Sequence, residues 1–481
     1  MCFFWFVFFV GGIHILGITR EKRSILKKRA LEWSLAFFFF ALVLWGGFDW
    51  KSSFQFINQV EWEVLSVLDW GPISFAVDGV SLFFLLLTTF LIPICVLISH
   101  KSIRILFKEF LLCLFFLEVL LVGVFLVFDL LLFYVFFEGV LIPMFFLIGI
   151  WGSREEKVRA SFYFFFFTFA GSVFFFFTIL FLYQITGTMD YFLLLNMKLS
   201  FNVQKWVLVG VFLSFAVKLP LIPFHIWLPQ AHVEAPVAGS VILAGILLKL
   251  GGYGLLRFSR PLFSEGSLYW SPVFIFLSVI AVVYGGLMTC RQIDFKRLVA
   301  YSSVAHMGLV PLSIFTYLIE GLIGAVFLML AHGFVSSALF IGVTYLYDRH
   351  HTRLIKYYRG LALTMPLFVF FMLILSLSNM GFPLSCNFVG EFYSLLAGFS
   401  YHCGVGGLVV FGVLFSAVYS LSLFNRISFG PGSNYLLFNR DLNRQEVFVM
   451  LPFLIIIFLG GIVPFFVVDL IKNSLVFSPV S

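Results

Sequence analysis

The chain has 481 residues, of which 62% are hydrophobic, 20% aromatic and only 11% charged; Phe alone accounts for 70, and mean hydropathy is +1.09. Soluble domains run near 25% charged residues, and no water-soluble fold hides this much apolar surface. A soluble enzyme, a nucleic-acid-binding protein and a disordered chain are therefore excluded, and the meaning of the formal net charge of +7 rests on where the charges sit.

A membrane-crossing helix needs about 20 mostly apolar residues. Apolar runs between charged breaks predict fourteen such spans, near 2–18, 31–48, 76–98, 107–128, 130–150, 162–183, 206–224, 239–256, 271–289, 298–318, 321–346, 361–400 (interrupted), 404–424 and 447–469. Runs such as Phe162–Phe167 and Phe174–Phe177 lack the alternation of a β-barrel, so an all-α polytopic membrane protein is expected. The N-terminus is apolar before its basic cluster, the reverse of a secretory signal, so residues 1–18 read as a retained first span. The Phe excess fits a T-rich coding strand of the organellar kind.

Loops after odd-numbered spans carry 22 of the 30 Lys and Arg, among them Arg20, Lys22, Arg23, Lys27, Lys28 and Arg29. Loops after even-numbered spans, with the C-terminus, carry six: Lys51, Lys198, Lys205, Arg257, Arg260 and Lys472. This asymmetry predicts an even number of spans with both termini on the less basic side, and it accounts for the net charge as topology.

Two spans look broken. The seventh runs through Lys218, Pro220, Pro223 and His225 to Pro229, and the twelfth contains Asn379, Gly381, Pro383 and Asn387. Pro removes a backbone donor and clashes with the preceding turn, and such backbone survives at membrane depth only against protein or a wet cavity. Broken helices in corresponding places of two halves mark an internally repeated transporter fold. The expected organisation is three N-terminal spans over 1–105, one repeat over 106–258, a second over 268–425 and a last span over 445–481.

Four charges sit where charge is costly: Glu138, Lys218, Lys249 and Glu391. At roughly 2.5–3.5 kcal/mol each, they would cost about 10–14 kcal/mol facing lipid unpaired. Either they are internal glue, as buried ion pairs, or they carry protons. A Glu–Lys pair that can be made and broken is a protonation switch, because burial and a nearby opposite charge act on proton affinity in opposing directions. His306 and His332 lie inside the tenth and eleventh spans, where a neutral imidazole can accept on one nitrogen and donate on the other. His225 and His232 flank the first break; no third ligand accompanies them, so no metal site is expected. Glu118 and His225 are secondary candidates, Asp129 reads as a solvated or capping residue, and Glu234 as a loop-ordering one. Cys2, Cys95, Cys113, Cys290, Cys386 and Cys403 are scattered without a CxxC pair, so neither a disulfide framework nor an iron–sulfur site is expected. No GxGxxG or GxxxxGK[ST] loop is present.

The stretch FAVKLPLIPFHIWLPQAHVEAPVAGSVILAGILLKLGGYGLLRF, Phe215 to Phe258, closely resembles the signature of the subunit 4 family of mitochondrial NADH:ubiquinone oxidoreductase, respiratory complex I. FYVFFEGVLIPM, RQIDFKRLVAYSSVAHMGLV, LAHGFVSSALF and NFVGEF match as well, so the likeness spans roughly Leu130 to Glu391. The resemblance implies an antiporter-like (Mrp-type) fold: fourteen transmembrane helices and two inverted five-helix repeats with helices 7 and 12 broken. It implies that Glu138 and Lys218 form the switchable pair of the first half-channel, that Lys249 is the central relay, and that His306 and His332 pass protons to Glu391. A Glu at that last position resembles subunit 4 rather than its sister subunits 2 and 5, and the linker wording HVEAP resembles mitochondrial rather than chloroplast relatives. Gln230 departs from the pattern, since many relatives carry a charge there, which puts a role for the linker charge in doubt. FMN, iron–sulfur clusters, NADH and quinone would belong to other subunits. Subunits 2 and 5, accessory subunits and lipids such as cardiolipin are the implied partners, and no nucleic acid is. The chain would reside, organelle-encoded, in the mitochondrial inner membrane with both termini on the intermembrane-space side. A sodium/proton antiporter subunit and a membrane scaffold remain the alternatives.

Overall fold

In the computed structural model, residues 2–50, 54–60, 72–433, 435 and 440–476 are described, without the side chains of residues 2–9, 60 and 476. Lys51, the Cys2 side chain and residues 477–481 of the last expected segment lie outside that description.

Helices α1 (Cys2–Gly17) and α2 (Arg23–Gly46) lead to a two-stranded antiparallel ladder of β1 (Gln55–Val60) and β2 (Ile73–Val77), with Gln59 opposite Ser74. This ladder is the one described departure from the helical expectation, and it lies between spans. There follow α3 (Gly79–Ser102), α4 (Phe107–Leu126), α5 (Leu130–Trp151) and α6 (Lys157–Thr186). A short α7 (Tyr191–Asn196) precedes α8 (Phe201–Lys218), the short α9 (Trp227–Glu234) and α10 (Val237–Leu262). The second half comprises α11 (Ser264–Cys290), α12 (Phe295–Phe315), α13 (Ile319–His350), α14 (Pro366–Asn379), α15 (Cys386–Tyr401) and α16 (Cys403–Ser428). It is followed by α17 (Arg444–Ile462) and α18 (Phe465–Val476). Among the described residues, twelve helices are long and apolar enough to cross a membrane. The last span was expected to reach residue 469; α17 instead stops at Ile462, just before Pro464, which cannot supply a helical N–H, and α18 starts afresh.

The elements begin where their sequences cap them. Asp78 and Ser81 form a reciprocal capping box at the start of α3, and Asp129, Asp190 and Asp294 accept backbone N–H groups at the starts of α5, α7 and α12. Helix α5 turns at Val140, because Pro143 leaves the Gly139 carbonyl without its helical partner.

Burial sorts the helices by position. α10 is buried along its length and α12 and α13 nearly so, whereas α6 turns Phe162, Phe166, Phe169, Phe174 and Phe177 outward. Outward Phe rows suit hydrocarbon, where there is no water to penalise them. α13 packs along α15 and against α10, α11 along α12 and α16, and α6 along α8. Small residues permit the close crossings: a Cβ on Gly333 would stand 3.1 Å from the Gly245 carbonyl oxygen, and one on Gly251 would stand 2.8 Å from that of Phe215. α10 packs against α8 and α13, and α12 and α13 pack against α15, so these five helices form the buried centre.

Candidate functional site

The first break sets its own side chains. Pro220 offers no N–H to the Ala216 carbonyl, which is bonded instead by Leu221 N at 3.0 Å; the Val217 carbonyl is then taken by the Trp227 indole at 2.9 Å. Lys218, the last residue of α8, is 4% exposed. Its Nζ donates to the Phe137 carbonyl at 2.8 Å, lies 3.2 Å from the centre of the Phe137 ring, and stands 3.5 Å from Glu138 Oε1. Neither Glu138 oxygen makes a close hydrogen bond, so the pair is near but loose. The turn at Val140 comes two residues after Glu138, which places the carboxylate in the last turn of a helical half.

Lys249 lies in the middle of α10 with no exposed surface. The turn before it, Leu243–Leu247, is π-helical, and Lys249 Nζ bonds the Ala244 carbonyl within that wider turn. The same Nζ stands 2.9 Å from His332 Nδ1 on α13. The His332 and His306 rings are 5.7 Å apart, His306 Nδ1 lies 3.1 Å from Glu391 Oε1, and His306 Nε2 lies 3.2 Å from the Tyr419 hydroxyl of α16. Lys249, His332, His306 and Glu391 therefore form one contiguous buried row across four helices. An imidazole between two partners of this kind can receive on one nitrogen and give on the other.

The second break holds the far end of the row. Gly381 has φ +73°, and a Cβ there would come within 2.1 Å of Glu391 Oε2, so the carboxylate is tucked against the unwound segment. Asn379 and Asn387, on either side, are buried, and both polar atoms of the Asn387 amide lack a hydrogen-bond partner among the described residues.

The other expected residues are placed apart from this row. Glu118 is fully buried on α4 with neither oxygen hydrogen-bonded, and it joins no described ion pair. His225, in the first break, approaches the rings of Tyr284 and Tyr301 at 6.1 and 6.2 Å, on the second half of the fold. His232 is fully buried, stacked on Phe340 at 4.5 Å, with neither nitrogen hydrogen-bonded. Gln230 is half-buried in α9. Asp129 caps α5 as expected but is buried rather than solvated, and Glu234 faces Arg353 Nη1 at 3.5 Å. Among the described residues no group of three His, Cys, Asp or Glu side chains is arranged to hold a metal ion.

Three partnerships escaped the sequence. Arg257 was counted as a loop charge, yet α10 extends through a second π-helical turn, Leu255–Ser259, and buries Arg257 against Asp78. Phe54, Phe128, Tyr191 and Tyr253 surround its guanidinium within 6.0 Å. Lys296, also counted with the loops, is buried and bonds the Ala235 carbonyl at 2.7 Å. Tyr419, in an apolar run, gave no signal of any kind. The acid at residue 78 just ahead of an apolar run was the one usable clue to the first pair.

Comparison with known proteins places this arrangement. The pattern described as NADH:quinone oxidoreductase/Mrp antiporter, transmembrane, matches residues 127–417. NADH-ubiquinone oxidoreductase chain 4 of Metridium senile is 62% identical, over 98% of this chain and 96% of that relative. Its counterpart in Marchantia polymorpha is 47% identical, over 95% of this chain and 92% of that relative. Among solved structures, a chain of respiratory complex I from Thermus thermophilus superposes with a TM-score of 0.87 at 29% identity, covering 98% of this chain and 97% of that one. A chain of the Mrp complex from Dietzia sp. gives the same TM-score, 0.87, at 17% identity, covering 98% of this chain and 96% of that one, a likeness of fold alone.

Proposed function

Since the chain belongs to the NADH:quinone oxidoreductase/Mrp antiporter transmembrane family, alongside the chain 4 subunits it matches over nearly its whole length, we propose that it moves protons through its buried row of ionisable side chains. It is a multi-pass membrane-arm subunit of an NADH:ubiquinone oxidoreductase, complex I, and translocates protons from matrix to intermembrane space while remote electron transfer drives the cycle. The flavin and iron–sulfur chemistry belongs to other subunits. Fourteen spans, arranged as inverted repeats over 106–258 and 268–425 between flanking segments 1–105 and 445–481, are part of this reading. So are organelle encoding, both termini in the intermembrane space, and contacts with subunits 2 and 5, accessory subunits and cardiolipin.

The observation that carries the mechanism is the row of neighbours in which Lys249 meets His332 and His306 meets Glu391 at hydrogen-bonding distance, with the two imidazole rings 5.7 Å apart between them. Static glue would be built from complete hydrogen bonds; here neither Glu138 oxygen nor His332 Nε2 makes one among the described residues. In this reading Glu138 and Lys218 take up the matrix proton: with the pair closed Lys218 holds its charge, and with the pair open it passes the proton towards Lys249. Lys249 hands it to His332, the imidazoles relay it to His306, and Glu391 releases it beside the second break. Moving one charge against the membrane potential costs about 2.3 kcal/mol per 100 mV, within reach of rearranged charges at low dielectric.

The test uses the whole complex in proteoliposomes, comparing NADH oxidation with proton uptake. Glu138→Ala and Lys218→Ala should cut coupled activity severely while native gels still show the assembled complex. An unchanged number of protons per NADH in both variants would overturn the proposal. Sodium-dependent transport without NADH would favour an ion exchanger, and intact coupling in Lys249→Arg with lost assembly in Lys249→Ala would favour a scaffold.

A further inference from the structure

Five connections on the basic side of the fold converge on one cleft of about 670 Å³. Lys101 comes from the last turn of α3 and Arg104 from the connection that follows it, Ser153 from between α5 and α6, Lys296 from the start of α12, Arg353 from the segment after α13, and Arg440 from the segment before α17. Two acids, Asp348 and Glu446, share the lining, and Glu446 is taken up by Arg349 at 2.5 Å. The remaining lining is strongly cationic.

Basic loops alone are topology. Burial distinguishes this group. Arg353 lies outside the spans yet is only 3% exposed; Nη2 bonds Ser153 Oγ, while Nη1 makes no hydrogen bond among the described residues and has Glu234 3.5 Å away. Lys296 is likewise buried, with two of its three ammonium hydrogens directed at the carbonyls of Ala235 and Val233, at 2.7 and 3.4 Å. The cavity is therefore lined by guanidinium and ammonium groups from distant parts of the chain, two of them fixed in place by packing and one with a donor that meets only the 3.5 Å ion pair to Glu234. Exposed Arg104 and Arg440 complete the lining, with no described side-chain partner of their own. Trp151, which also lines the cleft, bonds the Ile105 carbonyl at 3.0 Å through its indole.

We propose that this cleft binds a phosphate-bearing anion, with Arg353, Arg104 and Arg440 taking its oxygens and Lys101 and Lys296 supplying compensating charge. Guanidinium groups fit phosphate oxygens two at a time, and ammonium groups act as point charges. The same chemistry is offered by the headgroup of an anionic phospholipid and by a soluble phosphate from the aqueous phase. The site is separate from the proton row and stands or falls independently of it.

The experiment uses the assembled complex, stripped of lipid and placed in phosphatidylcholine nanodiscs. Radiolabelled diphosphatidylglycerol and radiolabelled pyrophosphate are titrated separately into the native complex and into Arg104→Gln/Arg440→Gln, whose exposed side chains lie outside the proton row. Loss of charge-assisted contacts should weaken one binding site about tenfold or more, with NADH oxidation unchanged. Weakening seen with the lipid alone assigns a headgroup, with pyrophosphate alone a soluble anion, and with both a shared phosphate site. Lys101→Gln, a milder exposed change, should weaken the same isotherm by a smaller factor and covers the case in which the double variant fails to assemble. Isotherms identical to native for both probes in every assembled variant would overturn the proposal.

Discussion

Lys249 on α10 and His332 on α13 stand 2.9 Å apart at a crossing where Gly245 and Gly333 let the two helices nearly touch. The contact joins the two halves of the molecule, because one partner belongs to the segment after the first break and the other to the segment before the second.

If that contact is a single transfer step, its two ends act as a unit. Lys249→Met and His332→Ala should each lower coupled proton transport by roughly tenfold to a hundredfold, and the double variant should be scarcely worse than either one. Proton uptake per NADH in proteoliposomes measures this. Losses that multiply would separate the two residues into independent roles.

Gly381 tests the far end of the row. Gly381→Ala meets two penalties, a left-handed backbone worth about 1–2 kcal/mol and a Cβ directed at Glu391. Gly187 has nearly the same φ, +72° against +73°, but open space around it. Gly187→Ala should therefore carry the backbone cost alone. The expected outcome is a larger thermal destabilisation of Gly381→Ala than of Gly187→Ala, with proton pumping lost only in Gly381→Ala.

The sequence revealed the charges and hid their partners, for physical reasons. Glu138, Lys218, Lys249 and Glu391 stand out because nothing else in those runs is polar, and the Pro residues at 220 and 383 mark the two breaks because a missing N–H acts locally. Lys249 and His332 are 83 positions apart, and only packing brings them together. Arg257 was misplaced because apolar periodicity fades at residue 256, whereas the helix runs on to Leu262 through a π-helical turn that no local propensity announces. The β1–β2 ladder was missed since its strands are short, and α18 since a single Pro divides it from α17.

The Arg257–Asp78 pair, wrapped by four aromatic rings, predicts a stability effect without an effect on the proton row. Arg257→Ala leaves a buried carboxylate uncompensated and should cost about 3–5 kcal/mol. Adding Asp78→Asn should restore part of this loss, because the stranded charge goes while the cap at the start of α3 survives. Thermal unfolding of the detergent-solubilised complex reads both steps. A double variant no more stable than Arg257→Ala would mean that lost packing, not the lone charge, sets the cost.

Asp129, in the connection between α4 and α5, gives the clearest pH dependence. Burial raises its carboxyl from 3.8 to about 6, and nearby Asp190 pushes the same way, while the backbone N–H of Leu132 opposes them. The folded chain therefore binds this proton more tightly than the unfolded chain, so its contribution to stability is fully present below pH 3.8 and is lost as pH rises through about 6. At pH 7.5 the ionised, buried carboxylate is a net burden on the order of 1–3 kcal/mol. Asp129→Asn keeps a good helix cap, since Asn is as effective as Asp at that position, and discards the charge. The variant should unfold at a higher temperature than the native chain at pH 7.5, and its gain should be about half as large at pH 5, midway through the window between 3.8 and about 6. Equal gains at both pH values would show that the difference arises from something other than the titration of this carboxyl.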